Sequence, residues 1–466
     1  MTRASWWLVV VAAAVGLLGA PGSAAAQTGG DIAERLRAVP RLTLVEERAA
    51  PMGYRLFVLS YRQRVDHARP RRGFFQQRLT LLHRGDDRPV VLFTSGYNVS
   101  LSPARSEPTR LVDGNQISVE QRFFSPLRPH PANWSKLTIW QGASDHHRII
   151  AALRPLYAGR WLSTGPSKGG MASIYHRRFY PFDVDGTVAY AASNDVVNDE
   201  DSAYTEFFRT VGTPACRSAL VALQREALGR RRAVLRTRYA AAAAARGWTF
   251  AKTIKTVDRA LEMLVLDTPW AFWQYGTLAD CPGVPAPTAS TDEIYAFLDA
   301  VTSFGFYTDQ GLNPYIPYYL HAGTQLGWPV PSFRRLRGLR RYPGLFSPRA
   351  VVPRELEMRF EPHRMRNIDR WVRRRGSRLL FVYGQNDPWG AEAFELGRRT
   401  RDSYRYEAPG ANHRADISGL MPAEAAAATA TVQRWAGVPA AVGAWSAPPR
   451  AAGLDDPMPG LQRRRP

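Results

Sequence analysis

Residues 159–171, GRWLSTGPSKGGM, combine a short apolar run with a cluster of glycines. Within them, GPSKG at 165–169 fits G-x-S-x-G, the pattern of a serine held on a sharp turn between a strand and a helix. That turn strains the backbone of the serine. The strand and the helix also pack so closely that the residues two positions before and after the serine must lack side chains. WLST at 161–164 predicts the strand, and GGMASIY at 169–175 predicts the helix. An ordinary glycine-rich turn is the alternative.

Length and composition indicate a folded protein. A chain of 466 residues is long enough for a large core and more than one structural unit. Its hydrophobic content of 45% and its 13 tryptophans are typical of globular proteins. The net charge of +22 can indicate a nucleic-acid or membrane partner. However, the basic residues are mostly arginine and are spread along the whole chain, which is typical of GC-rich coding, so no nucleic-acid partner is predicted.

The N-terminus has the pattern of an export signal. A positively charged start, an apolar run over 6–18 and AAA at 24–26 predict a secretory signal peptide over 1–26. An uncleaved N-terminal anchor is the alternative. No later stretch reaches about 18 apolar residues, so no integral membrane segment is expected after cleavage. The mature chain is therefore expected to be secreted or periplasmic. In such a chain, Cys216 and Cys281 predict one disulfide.

Strand and helix patterns alternate in the first part of the chain and predict a mostly parallel sheet. Strand signals are nearly absent from the middle, which reads as a helical insertion, and the sheet pattern then resumes. The insertion is interpreted as a lid over the sheet or, alternatively, as a packing domain without a role in function. The expected division is a core in two parts (27–197 and 346–436), a helical lid (198–345) and a disordered tail (437–466). The predicted strands are 54–61, 78–83, 89–94, 118–124, 184–191, 378–383 and 403–408.

Three residues in the order Ser, Asp, His follow predicted strands. Ser167 lies in the turn described above, Asp387 follows the strand 378–383, and His413 follows the strand 403–408. A serine hydroxyl becomes a nucleophile when a neutral imidazole takes its proton, and a carboxylate orients that imidazole. This order, with each residue after a strand, is that of the α/β-hydrolase fold. The sequence therefore predicts an α/β-hydrolase with a Ser167–Asp387–His413 triad.

Alternatives exist for the acid and the base. Asp195, after the strand 184–191, or Asp416 could serve as the triad acid, and Asp387 could be a helix-capping residue. Eight other histidines compete with His413, but only His413 follows a late strand downstream of a suitable aspartate. The expected oxyanion donors are the backbone N–H groups of Lys168 and Tyr97.

Several segments resemble one family. The chain is similar, from about residue 40 to 435, to secreted bacterial prolyl tri- and tetrapeptidyl aminopeptidases. A more distant similarity is to lysosomal Pro-X carboxypeptidase, from which this chain departs by having Gln121 in the place of a histidine. The segments that carry the resemblance are EQRFF (120–124), WSKLT (134–138), Gln141 with Asp145, TGPSKGGM (164–171), YHRRFYP (175–181), VGT (211–213) with Cys216-Arg217, and FWQY (272–275).

The resemblance implies an exported serine peptidase that removes short peptides from a free N-terminus, often after proline. The residues at its triad positions are Ser167, Asp387 and His413. Such an enzyme needs an acid to hold the substrate α-ammonium group.

Glu120 is our candidate for that acid, and others are Asp199, Glu200 and Asp201. A structural salt bridge from Glu120 to Arg122 or another basic residue is the alternative.

The aromatic residues Phe272, Trp273 and Tyr275 are interpreted as a flat wall for a proline ring, or equally as core. Two competing functions are a carboxylesterase or lipase with the same triad, and a cationic binding protein that has lost catalysis. No metal-ligand cluster or phosphate-binding glycine loop is found, so no cofactor is predicted. The expected partners are peptides with a free N-terminus; the length released and the oligomeric state are not predicted.

Overall fold

The structure is a computed structural model that describes residues 30–51, 53–124, 128, 131–196, 201–439 and 449–455. The predicted signal peptide lies outside these ranges. Among the helices that the structure describes, none is long and apolar enough to cross a membrane.

Nine strands form one sheet in the order β1-β2-β3-β5-β4-β6-β7-β8-β9. The pairs β1–β2, β2–β3 and β3–β5 are antiparallel, and every pair from β5 to β9 is parallel. This sheet, with helices on both faces, has the α/β-hydrolase fold, as predicted. The strands are β1 (Leu42–Arg48), β2 (Arg55–Arg64), β3 (Phe74–His83), β4 (Val90–Thr94), β5 (Asn115–Val119), β6 (Trp161–Pro166), β7 (Gly186–Tyr190), β8 (Leu379–Gly384) and β9 (Tyr404–Ala408).

Fourteen α-helices accompany the sheet in the described ranges. Shorter 3₁₀ turns connect several of them, for example after β8 and after β9. The helices are α1 (Ile32–Ala38), α2 (Glu107–Leu111), α3 (Ile139–Leu153), α4 (Lys168–Phe179), α5 (Ser202–Thr210), α6 (Pro214–Leu228), α7 (Arg232–Arg246), α8 (Val257–Tyr275), α9 (Thr291–Thr302), α10 (Asp309–Leu312), α11 (Ile316–His321), α12 (Pro348–Val351), α13 (His363–Arg375) and α14 (Pro422–Ala436).

The central strands are buried on both faces, which explains their continuous apolar sequences. Successive side chains of β8 alternate between two cores because the side-chain period of a strand is two. Leu379 and Phe381 pack with α4 and α13, whereas Leu380 and Val382 pack with α14 on the opposite face. The carboxyl ends of the parallel strands are thus fixed at one edge of the sheet.

The helices α5–α12 lie between β7 and β8, and we call them the helical insertion. It has its own aromatic core, organised around α8. The long helix expected over 217–245 is two helices, α6 and α7, because α6 ends at Gly229. The predicted disulfide between Cys216 and Cys281 is confirmed, and both cysteines lie within the insertion.

The tail differs from the disorder expected over 437–466. Residues 449–455 pack against the sheet, where Leu454 is buried beside Leu56 and Leu82. Asp455 forms a partly buried salt bridge with Arg105, with 2.7 Å between Oδ1 and Nε. The proline- and glycine-rich composition of the tail gave no indication of this packing, because the residues that contact Leu454 and Asp455 are distant in sequence.

Candidate active site

Ser167 occupies the turn between β6 and α4 with φ 54° and ψ −129°, outside the regions that most side chains adopt. The flanking glycines are required by close packing. A Cβ atom on Gly169 would lie 2.1 Å from the Thr94 carbonyl oxygen, and one on Gly165 would lie 2.5 Å from the carbonyl carbon of Gly169. The G-x-S-x-G pattern therefore has a steric cause here, and it leaves Ser167 at the start of a helix.

Asp387 and His413 meet at the same edge of the sheet, after β8 and β9. His413 Nδ1 lies 2.7 Å from Asp387 Oδ2, and both side chains are buried. The other carboxylate oxygen accepts a hydrogen bond from the Trp389 N–H at 3.1 Å. The backbone N–H of His413 donates to the Gln274 carbonyl on α8, so the helical insertion also positions this loop. The carboxylate thus fixes the Nδ1 side of the ring, and within the described residues Nε2 has no hydrogen-bond partner.

Ser167 and His413 line one cavity of about 250 Å³. The sheet contributes Ser167 and Pro166 to its wall, and the insertion contributes a group of tyrosines. A hydroxyl, an imidazole and a carboxylate in this arrangement are the groups that nucleophilic acyl transfer requires. The aromatic residues of the lining are Phe93, Tyr97, Phe124, Tyr275, Tyr315, Tyr318, Tyr319 and Trp389.

The two expected oxyanion donors differ in whether their N–H groups already have a hydrogen-bond acceptor. Helix α4 begins at Lys168, so the Lys168 N–H lacks an acceptor within the helix and lies at its positive end. The Tyr97 N–H donates to Ser95 Oγ at 3.2 Å. Gly96 presses the loop onto α4, since a Cβ there would lie 2.5 Å from the Gly169 nitrogen. The Lys168 N–H is therefore the better placed of the two in this structure.

The Lys168 side chain was not anticipated from the sequence as a functional group. It is buried, and its Nζ donates to the Gly96 carbonyl oxygen at 2.8 Å. The ammonium group also lies 5.8 Å from the Tyr97 ring centre and 5.3 Å from that of Phe124. Burial lowers the pKa of Lys168 to about 7. Lys168 thus links the start of α4 to the loop that carries Tyr97; a lysine directly after the candidate nucleophile was the available signal.

Glu120 is placed differently from the prediction. Strand β5 ends at Val119 rather than continuing to 124, and the Glu120 carboxylate is buried. It is bonded by Nε and Nη2 of Arg78 at 3.0 and 2.7 Å. It does not line the cavity that contains Ser167. The structure therefore favours a salt bridge, with Arg78 as the partner, while Arg122 pairs with Asp145.

Of the three predicted wall residues, only Tyr275 lines the cavity, and its ring meets that of His413 edge to face at 6.2 Å. Phe272 and Trp273 are buried in the core of the insertion. Helix α8 is enclosed by other helices of the insertion, so the aromatic side chains just before Tyr275 pack inward. Trp273 also closes over Gly212, where a Cβ atom would lie 2.2 Å from the indole.

The alternative acids are not at His413. Asp416 caps the 3₁₀ turn Ile417–Gly419 and pairs with Arg450. Asp195 is buried, and neither carboxylate oxygen has a hydrogen-bond partner among the described residues. Burial, and then the nearby carboxylates of Glu392 and Asp201, raise the pKa of Asp195 to about 9. The remaining candidates from the sequence, Asp199 and Glu200, lie outside the described residues.

Comparisons with known proteins place this chain in a family. The model of the PS-10 peptidase S37 family matches residues 25–457. The prolyl tri/tetrapeptidyl aminopeptidase of Streptomyces mobaraensis is 52% identical over 446 residues, which cover 94% of this chain and 93% of that protein. Among solved structures, the proline iminopeptidase of Mycobacterium smegmatis is 12% identical, with a TM-score of 0.37, over 84% of this chain and 98% of that one. The homoserine O-acetyltransferase of Staphylococcus aureus is also 12% identical, with a TM-score of 0.37, over 77% of this chain and 89% of that one.

The two structural scores are low, so the assignment rests on the sequence comparisons and agrees with the architecture described above. By its match to the family model over nearly its whole length, the chain belongs to the S37 family of peptidases.

Proposed function

We propose that this protein is a serine peptidase that releases tri- and tetrapeptides from the free N-terminus of peptides, with a preference for proline before the cut. The observation that carries the proposal is the His413–Asp387 pair, buried beside a cavity that Ser167 also lines. The name of the Streptomyces relative supports the substrate class.

In the proposed reaction, Ser167 Oγ attacks the carbonyl carbon of the scissile bond and gives its proton to His413 Nε2. Asp387 stabilises the imidazolium that forms. The negative charge that develops on the carbonyl oxygen faces the Lys168 N–H at the N-terminus of α4. His413 then protonates the leaving amine, an acyl-enzyme forms on Ser167, and water attacks it with His413 again as the base.

The walls of the cavity support a preference for proline and for chain ends. Proline is a flat, apolar ring, and the lining presents aromatic faces from Tyr97, Tyr275 and Tyr318. One side of the wall, at residues 274–275 and 314–319, comes from the helical insertion, which we assign the role of a lid. A lid over the nucleophile admits a peptide end more readily than a folded protein.

The site of action belongs to the same proposal. We assign the protein to the exterior of the cell or the periplasm, because residues 1–26 have the pattern of a signal peptide. The disulfide between Cys216 and Cys281 fits an oxidising compartment.

The test uses the purified mature protein and its Ser167→Ala variant. Each is incubated with a free-amino Ala-Ala-Pro chromogenic amide, its N-acetylated counterpart and a short-chain ester. We expect serine-dependent cleavage of the free-amino amide and little cleavage of the acetylated one. Cleavage of the ester alone would make the protein an esterase, and absence of any serine-dependent turnover would refute the proposed function.

A further inference from the structure

The cavity that contains Ser167 extends along the sheet, well beyond the groups that take part in the reaction. Its lining includes Leu56 on β2 and Leu82 on β3. Ser167 follows β6, and in the sheet β3 lies three positions from β6 and β2 lies four. Because neighbouring strands are about 4.8 Å apart, these two leucines lie roughly 14 to 19 Å across the sheet from the nucleophile.

This distance matches the substrate class of the proposed function. An extended chain rises by about 3.4 Å per residue, so three residues span roughly 10 Å and four span roughly 14 Å. A tri- or tetrapeptide whose last carbonyl group lies at Ser167 therefore reaches towards Leu82. Only the released side of the scissile bond has a fixed length, so a cavity of limited length suits that side.

Residues 449–455, which we call the tail segment, lie against the end of this cavity. Leu454 is 1% exposed and packs with Leu56 and Leu82, which are 1% and 2% exposed. Both leucines also line the cavity. They are thus in contact with the cavity and with the tail segment, and Leu454 supports the end wall from behind.

The tail segment also holds the loop that follows β4 and forms one side of the cavity. The Arg105 N–H donates to the Leu454 carbonyl oxygen at 2.8 Å. The Arg105 guanidinium group donates to both carboxylate oxygens of Asp455, at 2.7 and 2.8 Å. These bonds fix the place where the side wall meets the end of the cavity. The lining residues of this loop are Tyr97, Asn98, Val99, Ser100, Ser102 and Ala104.

We propose that the tail segment, through Leu454 and Asp455, closes the end of the substrate cavity and so limits the released peptide to three or four residues. This inference rests on the proposed function. Leu454 acts through Leu56, Leu82 and the loop that ends at Arg105, so it is a positioning residue. It determines how much peptide fits before the scissile bond and leaves the chemistry at Ser167 unchanged.

The experiment measures kcat/KM for three free-amino amides with the same chromogenic leaving group: Ala-Ala-Pro, Ala-Ala-Ala-Pro and Ala-Ala-Ala-Ala-Pro. In the wild type, the pentapeptide amide should be about 100-fold poorer than the tripeptide amide, because its first residue meets the end wall. Leu454→Ala removes the support behind Leu56 and Leu82 and lets them move away from the cavity. The ratio of pentapeptide to tripeptide kcat/KM should therefore rise about 10-fold in this variant.

Arg450→Ala is the matched control. Arg450 belongs to the same segment, but its side chain is exposed and pairs with Asp416, so the variant should keep the wild-type ratio. A melting curve checks that each variant is folded, and the rate at which a phosphonate inactivates Ser167 checks the triad. A loss of stability alone would lower kcat for all three amides by the same factor and leave the ratio unchanged.

A second variant ends the chain at residue 448, and its ratio should rise further than that of Leu454→Ala. If neither variant folds, Leu454→Val, a smaller change in the same core, should shift the ratio in the same direction. An unchanged ratio in the folded variants, or a wild type that cleaves the pentapeptide amide as well as the tripeptide amide, would overturn the inference alone. A wild type that cleaves none of the amides would refute the proposed function, and the length limit with it.

Discussion

The loops after β7 and β8 each present a buried aspartate at the same edge of the sheet, yet the two carboxylates differ in nearly every respect. Asp387 lies 2.7 Å from an imidazole and accepts a backbone N–H. Asp195 has no hydrogen-bond partner among the described residues and faces two further acids. The topology puts both acids at one edge of the sheet, and the neighbours of each decide its chemistry: Asp387 orients a base, whereas burial and the nearby acids favour the protonated form of Asp195.

The largest expected effect comes from Asp387→Asn, which should lower kcat about 10⁴-fold because the amide no longer stabilises the imidazolium or fixes its tautomer. Steady-state kinetics on the free-amino amide measure it, with KM nearly unchanged. If Asp195→Asn lowered kcat more than Asp387→Asn, the roles of the two acids would have to be exchanged.

The second prediction concerns stability and pH. The pKa of Asp195 is about 9 in the folded protein, against 3.8 for an ordinary aspartate. The folded state therefore keeps a proton that the unfolded chain loses, so this contribution to stability is complete below about pH 4 and is lost as the pH rises towards 9.

Asp195→Asn removes this dependence of stability on pH. Its free energy of unfolding at pH 8 should therefore exceed that of the wild type by roughly a few kcal/mol, the magnitude that linkage gives. Urea denaturation at pH 5 and pH 8 measures this, and the gain should be smaller at pH 5. An equal difference at both pH values would show that Asp195 is ionised in the folded protein.

Lys168 is intermediate between the two aspartates. Like Asp195 it is buried and has a shifted pKa, but like Asp387 it forms a hydrogen bond. Lys168→Met leaves the Gly96 carbonyl without its donor and loosens the loop of Tyr97, so kcat should fall about 10-fold with little change in KM. Lys255→Met, which removes an exposed lysine–carbonyl bond, is the control and should leave kcat unchanged. A rise in KM alone would assign Lys168 to substrate binding.

The smallest effect is expected from Tyr204→Phe. Its hydroxyl is buried without a hydrogen-bond partner among the described residues, so its removal should raise the thermal stability slightly and leave kcat and KM for the free-amino amide unchanged. A melting curve and steady-state kinetics measure the two effects. A several-fold rise in KM would show instead that the Tyr204 hydroxyl takes part in binding.

Local sequence patterns predicted the structural features that depend on residues close together in the chain. GPSKG at 165–169 required a turn, and strand patterns before Asp387 and His413 placed both residues at one edge of the sheet. Together with a predicted export signal, the two cysteines indicated their own pairing.

Contacts between distant segments were beyond such patterns. Arg78 on β3 and Glu120 just after β5 are neighbours only because β3 pairs with β5. The strand β1 and the helix α13 were not predicted, because their charged residues obscure the apolar positions that pack. The isolation of Asp195 likewise arises from segments that are far apart in the chain.

The packed segment at 449–455 has a practical consequence for anyone who expresses this protein. A boundary chosen from composition alone would end the chain after α14 and delete Leu454 and Asp455. The deletion would expose Leu56 and Leu82 and leave Arg105 in a recess without its carboxylate. Affinity tags should therefore follow residue 466 rather than replace residues after α14, since residues 449–455 pack on the antiparallel end of the sheet and hold β2 and β3 to the segment of Arg105.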